Sequence, residues 1–224
     1  MNNSILEIAC FNLESAIIAA KAGASRIEFC EDYSIGGITP SYEDILQVKA
    51  QVNIPMFVMI RPRGGNFIYT EEEFEEMKQQ LEWCQQNKID GVVFGILTTD
   101  SRVDETRCYI LVQLAKPMSC TFHRAFDEVE NIADALETVI RCGFDRLLTS
   151  GQKTTAIEGA INIHRLMEQA SKRIVMIPGG GVRPDNISEL KNITGATEFH
   201  SAALKKYQKV ADRNIIQDLL QRLD

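Results

Sequence analysis

The chain lacks an excess of positive charge: 24 Lys and Arg stand against 31 Asp and Glu, a formal net charge of −7. Nucleic acid and anionic membrane surfaces are held through basic faces, so neither is expected as a partner. Metal ions, small molecules and proteins remain. Also missing is any apolar run near the ~18–20 residues that span a bilayer. The start, Met1-Asn2-Asn3-Ser4 running into Ile5-Leu6-Glu7-Ile8, has neither the basic segment nor the long apolar stretch of a secretory signal. A cytoplasmic protein is expected. Six cysteines (Cys10, Cys30, Cys84, Cys108, Cys120 and Cys142) stand far apart with no C-x-x-C, which leaves no zinc knuckle or thioredoxin motif. Reduced, buried thiols fit that spacing.

Linkers are lacking too. No Pro/Gly/Ser-rich or low-complexity stretch divides residues 1–224, so one domain is expected. What the chain does contain is a regular alternation of short apolar runs and amphipathic stretches. Eight runs read as strands: Leu6–Cys10, Arg26–Cys30, Pro55–Arg61, Gly91–Leu97, Cys120–Arg124, Arg146–Ser150, Ile174–Pro178 and Glu198–Ser201. Their spacing, roughly 25–30 residues, is that of a βα unit. Between them, Leu13, Ala16, Ile17 and Ala20 fall at helical spacing, as do Ile132, Ala135, Leu136, Val139 and Ile140. Thr70 with Glu73 reads as a capping box, and Thr155 with Glu158 repeats it. A weak internal repeat joins Ala22-Gly23-Ala24-Ser25-Arg26-Ile27 to Cys142-Gly143-Phe144-Asp145-Arg146-Leu147, with Thr194-Gly195-Ala196-Thr197 a looser copy. Each is a helix end, a glycine and the next strand. Eight such units form either a closed barrel or an open doubly wound sheet. No early G-x-G-x-x-G marks a dinucleotide crevice, and polar residues recur at strand ends, so a single (β/α)8 TIM barrel of the α/β class is expected.

In such a barrel the ligand site lies at the C-terminal ends of the strands. Side chains alternate between interior and helix layer, so parity sorts the polar residues. Glu28 and Cys30 face inward from the second strand, Arg61 from the third and His123 from the fifth, with Asp127 in the loop beyond. Glu198 and His200 face inward from the eighth, and Glu7 lies deeper in the first. The expected site is therefore Glu28, Arg61, His123, Asp127 and His200, as a ligand-binding or acid–base cluster. Layered Glu–Arg pairs that merely satisfy one another are the bland alternative. Gly179-Gly180-Gly181 follows the seventh strand, where backbone amides of a barrel often meet an anion. Some chemistries have no footing: no strand carries a lysine for a Schiff base, and no G-x-S-x-G holds a serine nucleophile.

These residues also carry a resemblance. Glu7-Ile8-Ala9-Cys10, Gly23-Ala24-Ser25-Arg26-Ile27-Glu28-Phe29-Cys30, Gly36-Gly37-Ile38-Thr39-Pro40-Ser41 and Ile60-Arg61-Pro62-Arg63-Gly64-Gly65 resemble the CutC family. So do Thr121-Phe122-His123-Arg124-Ala125-Phe126-Asp127, Leu148-Thr149-Ser150-Gly151-Gln152 and Glu198-Phe199-His200-Ser201. The resemblance implies a cytoplasmic barrel linked to copper homeostasis, with Cu(I) held by cysteines of the first two strands. Carried over, Cys30 matches the second-strand cysteine. Ala9 stands where members often have the first-strand cysteine, and Cys10 follows it. By parity Cys10 points into the helix layer, away from Cys30. Two readings stay open: copper binding at Cys10 and Cys30, or an enzyme acting on a phosphorylated or sugar-like small molecule. A homodimer is compatible with both.

Overall fold

The alternating pattern becomes, in a computed structural model describing residues 4–224, eight consecutive β/α units. The strands are β1 (Ile5–Cys10), β2 (Arg26–Phe29), β3 (Met56–Met59), β4 (Gly91–Phe94), β5 (Ser119–Phe122), β6 (Arg146–Thr149), β7 (Val175–Pro178) and β8 (Glu198–Ser201). The helices following them are α1 (Leu13–Ala22), α2 (Tyr42–Gln51), α3 (Glu71–Gln86), α4 (Glu105–Ala115), α5 (Ile132–Cys142), α6 (Ala160–Ala170), α7 (Ile187–Thr194) and α8 (Arg213–Leu223). All paired strands are parallel, in the order β7-β6-β5-β4-β3-β2-β1-β8. β7 and β8 pack side by side but share no ladder among the described residues, so the ring is nearly closed. The Ser201 hydroxyl spans that seam by donating to the Val182 carbonyl at 2.8 Å.

The expected (β/α)8 barrel is thus the fold, and local chemistry explains its joints. Gly23, Gly143 and Gly195, the three glycines of the internal repeat, end α1, α5 and α7 in the left-handed region. Thr70 and Glu73 form both bonds of a capping box at the start of α3. Thr155 and Glu158 exchange the same bonds, yet α6 begins only at Ala160. The chain folds tightly against the C-terminal end of β6 there: a Cβ on Gly159 would come within 1.9 Å of the Ser150 carbonyl oxygen, so the box closes a turn instead.

Strand parity divides the interior in two. Outward residues such as Leu6, Ile8, Ile27, Val58, Phe94, Phe122 and Phe199 pack with the helices in the main core. Burial of each such side chain contributes about 1.5–3 kcal/mol. Inside the ring, Cys30, Phe57, Met59 and Val93 make a much smaller apolar group, Ala9, Leu148 and Ile177 add single apolar side chains, and most other inward side chains are polar. Five strands end sooner than expected, β2 at Phe29, β3 at Met59, β4 at Phe94, β5 at Phe122 and β6 at Thr149, so Arg61 and His123 stand on the loops just above the ring.

Candidate functional site

Parallel register sets Glu7 directly between Arg26 of β2 and His200 of β8. Its carboxylate accepts from Arg26 Nε at 2.5 Å and meets His200 Nδ1 at 2.7 Å. Arg26 Nη2 donates to Glu198 at 2.7 Å, and Arg146 Nε lies 3.6 Å from the same carboxylate. Both guanidinium groups sit over the Phe57 ring, 4.8 and 4.6 Å from its centroid. This ionic floor closes the bottom of the barrel. Glu198, expected at the mouth, belongs to it because it is the first residue of β8, two below His200. Arg26 and Arg146 were not singled out from the sequence. Their equivalent places in the internal repeat were the signal.

The floor sets the protonation of what stands on it. Burial alone would raise Glu7, but the bonds from His200 and Arg26 outweigh it and hold the carboxyl down to about 2. A carboxylate at that position makes His200 Nδ1 the donor and leaves Nε2 as the second polar atom of the ring. Burial disfavours the imidazolium, yet Glu28 and Glu7 together raise the His200 pKa above its ordinary value.

Above the floor opens a cavity of about 300 Å³ whose wall includes Glu28, Arg61, His123 and His200. Four of the five expected residues therefore meet. Glu28, 3% exposed, takes the Cys30 thiol on Oε1 at 3.2 Å, while Oε2 is buried without a partner. Burial raises its pKa. Arg61 donates from Nη1 to the carbonyls of Ile35 and Gly37, both at 2.9 Å, and from Nη2 to Gly65 at 2.8 Å. Stacked 4.8 Å from the Phe67 centroid, it ties the loops after β2 and β3 together, and its Nε stays unpartnered. His123 caps the turn after β5, its Nδ1 accepting from the Ala125 amide at 3.3 Å. That acceptor role puts the proton on Nε2, which is buried without a partner. Burial, then the Arg61 charge, pushes His123 down to about 3, so the ring is neutral at ordinary pH. Gly95 makes room for it, since a Cβ there would lie 2.8 Å from Nδ1.

Asp127 is the exception. It does not line the cavity, because the turn Arg124–Glu128 carries it out to the end of β6. There it accepts from Thr149 Oγ1 at 2.5 Å, from the Ser150 amide and hydroxyl, from the Gln152 amide and from Arg124 Nε at 2.8 Å. It is a positioning residue, and what it positions is Arg124, which does face the cavity. Of the three glycines, Gly180 and Gly181 line the cavity, while Gly179 lies beneath, where a Cβ would sit 2.4 Å from Leu148 Cδ1. Arg124 and Arg183, the cavity-lining arginines not picked out from the sequence, each follow a stretch that was: Thr121-Phe122-His123 and Gly179-Gly180-Gly181-Val182.

The cysteines do not converge. Cys30 lies inside the ring, whereas Cys10 lies in the helix-side core and donates to the Ile8 carbonyl. Burial pushes both thiols up, so neither supplies a ready thiolate. Soft Cu(I) needs sulfur donors aimed at one point, and this pair does not offer them. The residues that do approach one another are Glu7, Glu28 and His200, with one ligand atom from each within 4.8 Å of the others. That set is oxygen and nitrogen, suited to a divalent ion, and Glu7 is already engaged by Arg26. No helix among the described residues is long and apolar enough to cross a membrane.

The sequence profile of the CutC family matches residues 4–205. The copper homeostasis protein cutC homolog of Homo sapiens is 46% identical over 202 residues, 90% of this chain and 74% of its own. A family protein CutC of Chromobacterium violaceum is 46% identical over 201 residues, 90% of this chain and 81% of its own. A crystal structure of CutC from Streptococcus agalactiae superposes with a TM-score of 0.84 at 31% identity, covering 89% of this chain and 98% of that one.

Proposed function

The chain belongs to the CutC family, and from that footing we propose that it works by acid–base chemistry on a small organic ligand in the barrel mouth, not by holding Cu(I) between two cysteines. The relatives' names connect the family with copper homeostasis. The observation that carries our reading is a set of orphaned polar atoms. Glu28 Oε2, Arg61 Nε, His123 Nε2 and Arg183 Nη1 are all buried without a partner among the described residues, and all belong to residues lining one cavity. Leaving such a group unpaired costs about 1–3 kcal/mol. A ligand that bonds to them removes that cost.

The titrating groups are pushed apart, as acid and base roles require. Neutral His123 offers Nε2–H to a ligand oxygen that gains negative charge. Glu28, with its raised pKa and unpaired Oε2, is the base that removes a proton from the ligand. His200 holds its proton to higher pH than an ordinary histidine and returns one to the ligand from Nε2, its orientation fixed by Glu7. One proton leaves and one arrives, so charge balances. All six cysteines are free and buried, the state that a reducing cytoplasm maintains, and the reading takes the protein to act there.

The test is exchange of carbon-bound hydrogen for deuterium in D2O, followed by proton NMR across hydroxyaldehydes, hydroxyketones and their phosphate esters. Exchange is expected with at least one compound, and it should fall by a factor of about 100 or more in Glu28→Gln. No exchange with any, or exchange indifferent to both Glu28→Gln and His200→Gln, sinks the reading. The copper half is tested by titrating reduced protein with Cu(I) against a competing chelator. The chelator should keep the metal for wild type and Cys30→Ser alike; tight one-to-one binding lost in Cys30→Ser would reverse the conclusion.

A further inference from the structure

We propose that one corner of the mouth, between Arg124, Arg183 and the Gly180-Gly181 turn, seats a phosphate group, so that the ligand is a phosphate ester. The proposal rests on reading the mouth as a ligand site, and it names the class of ligand.

The corner is built, not incidental. Arg124 spends Nε on Asp127 at 2.8 Å and Nη2 on the Ser150 hydroxyl at 2.9 Å. Its remaining Nη1 lies against Gly180, 3.2 Å from where a Cβ would be. Any side chain on residue 180 would fill that gap, and its φ of +100° demands glycine in any case. Across the corner, Arg183 Nη1 is buried with no acceptor.

The backbone between them is turned the same way. The Gly180 carbonyl is taken by the Ala156 amide at 2.8 Å, and the Gly181 carbonyl by Asn186 Nδ2 at 2.9 Å. Asn186 Oδ1 also accepts from the Arg183 amide at 2.9 Å, which locks the turn from both ends. With the carbonyls anchored outside, the amides of Gly180, Gly181 and Val182 donate to nothing among the described residues. Successive amides in a turn with positive φ form a concave anion seat.

Charge and donor number select the ion. Two guanidinium groups and three amides exceed what the two oxygens of a carboxylate can use, while three phosphoryl oxygens and nearly two charges match them. Asp127, the acidic group in direct contact, is neutralised by Arg124 and by the donors of Thr149, Ser150 and Gln152. The seat also adjoins the chemistry. A Cβ on Gly179 would be 3.2 Å from the His200 Cβ, so an ester held by its phosphate lies beside His200, with the rest of the cavity open toward His123.

The experiment titrates the protein with inorganic phosphate and, separately, with glycerol 3-phosphate, by calorimetry and by amide NMR. Both should bind, the ester at least as tightly, with shifts at Gly180, Gly181 and Val182. Arg183→Gln should weaken both by about tenfold or more. Refusal of the ester, shifts confined to other parts of the chain, or binding indifferent to Arg183→Gln overturns the proposal. His200→Gln leaves the seat whole and should keep phosphate affinity. Failure of the acid–base reading therefore shows as wild type that binds phosphate but exchanges no hydrogen, and failure of this inference as wild type that exchanges hydrogen but does not bind phosphate.

Discussion

The floor and the mouth of this barrel are made from the same residue types, yet they handle charge in opposite ways. On the floor, Glu7 and Glu198 are shared among Arg26, Arg146 and His200, with Phe57 beneath two guanidinium groups. In the mouth, Glu28, Arg61, His123 and Arg183 each keep an unpartnered buried atom. A buried charge costs several kcal/mol unless it is paired. The floor meets most of that cost inside the protein, with Arg146 Nη1 its one buried atom lacking a partner among the described residues, so its groups serve the fold. The mouth leaves the cost open, which is the signature of a place waiting for a partner from outside.

Breaking the floor should have the largest effect. Arg26→Met strips two carboxylates of their shared cation and leaves uncompensated buried charge. A loss of about 3–5 kcal/mol in urea denaturation is expected. A loss below about 1 kcal/mol would erase the distinction between the two regions.

A smaller effect comes from His123, whose proton is coupled to folding. Its pKa is lowered from 6.5 to about 3, so the unfolded chain binds the proton more readily. The stability it contributes is present above pH 6.5 and is lost as pH falls toward 3. Wild type should lose stability over that window. His123→Asn, whose Oδ1 can still accept from Ala125, should lose it less steeply, by one proton per molecule. Glu28 has the opposite sign: with a raised pKa, its contribution is full below 4.5 and fades as pH rises through its folded value. Between pH 4.5 and 6.5 the two groups oppose each other, so single variants are needed to see either.

The smallest change in stability should follow Glu28→Gln. The amide oxygen can still accept from Cys30, and a buried carboxylate is removed. At pH 7 the variant should be as stable as wild type, or more stable by about 1 kcal/mol, with no gain at pH 4. Destabilisation of several kcal/mol at pH 7 would place Glu28 with the floor and against a ligand role.

Much of this was legible along the chain. Eight apolar runs at βα spacing and the repeated glycines set out the barrel, because strand and helix periods and a left-handed helix end are local properties. Parity brought Glu28 and His200 inward, because a side chain in a strand has only two directions. What failed lay just past the strands. Asp127 was expected in the mouth cluster, but a short turn carries it to the end of β6, where it clamps Arg124. Parity did separate Cys10 from Cys30: adjacent across a ladder, they lie on opposite faces of the sheet.

The sequence by itself therefore determined the architecture, the inward row of each strand and the family, all of which rest on short-range pattern. Only the tertiary structure decided which charges cancel and which do not. Whether Glu7 belongs to Arg26, Arg61 to the loop carbonyls and Asp127 to Arg124 depends on register and loop path across the ring. Those long-range contacts make the floor a support and leave the mouth open to a ligand.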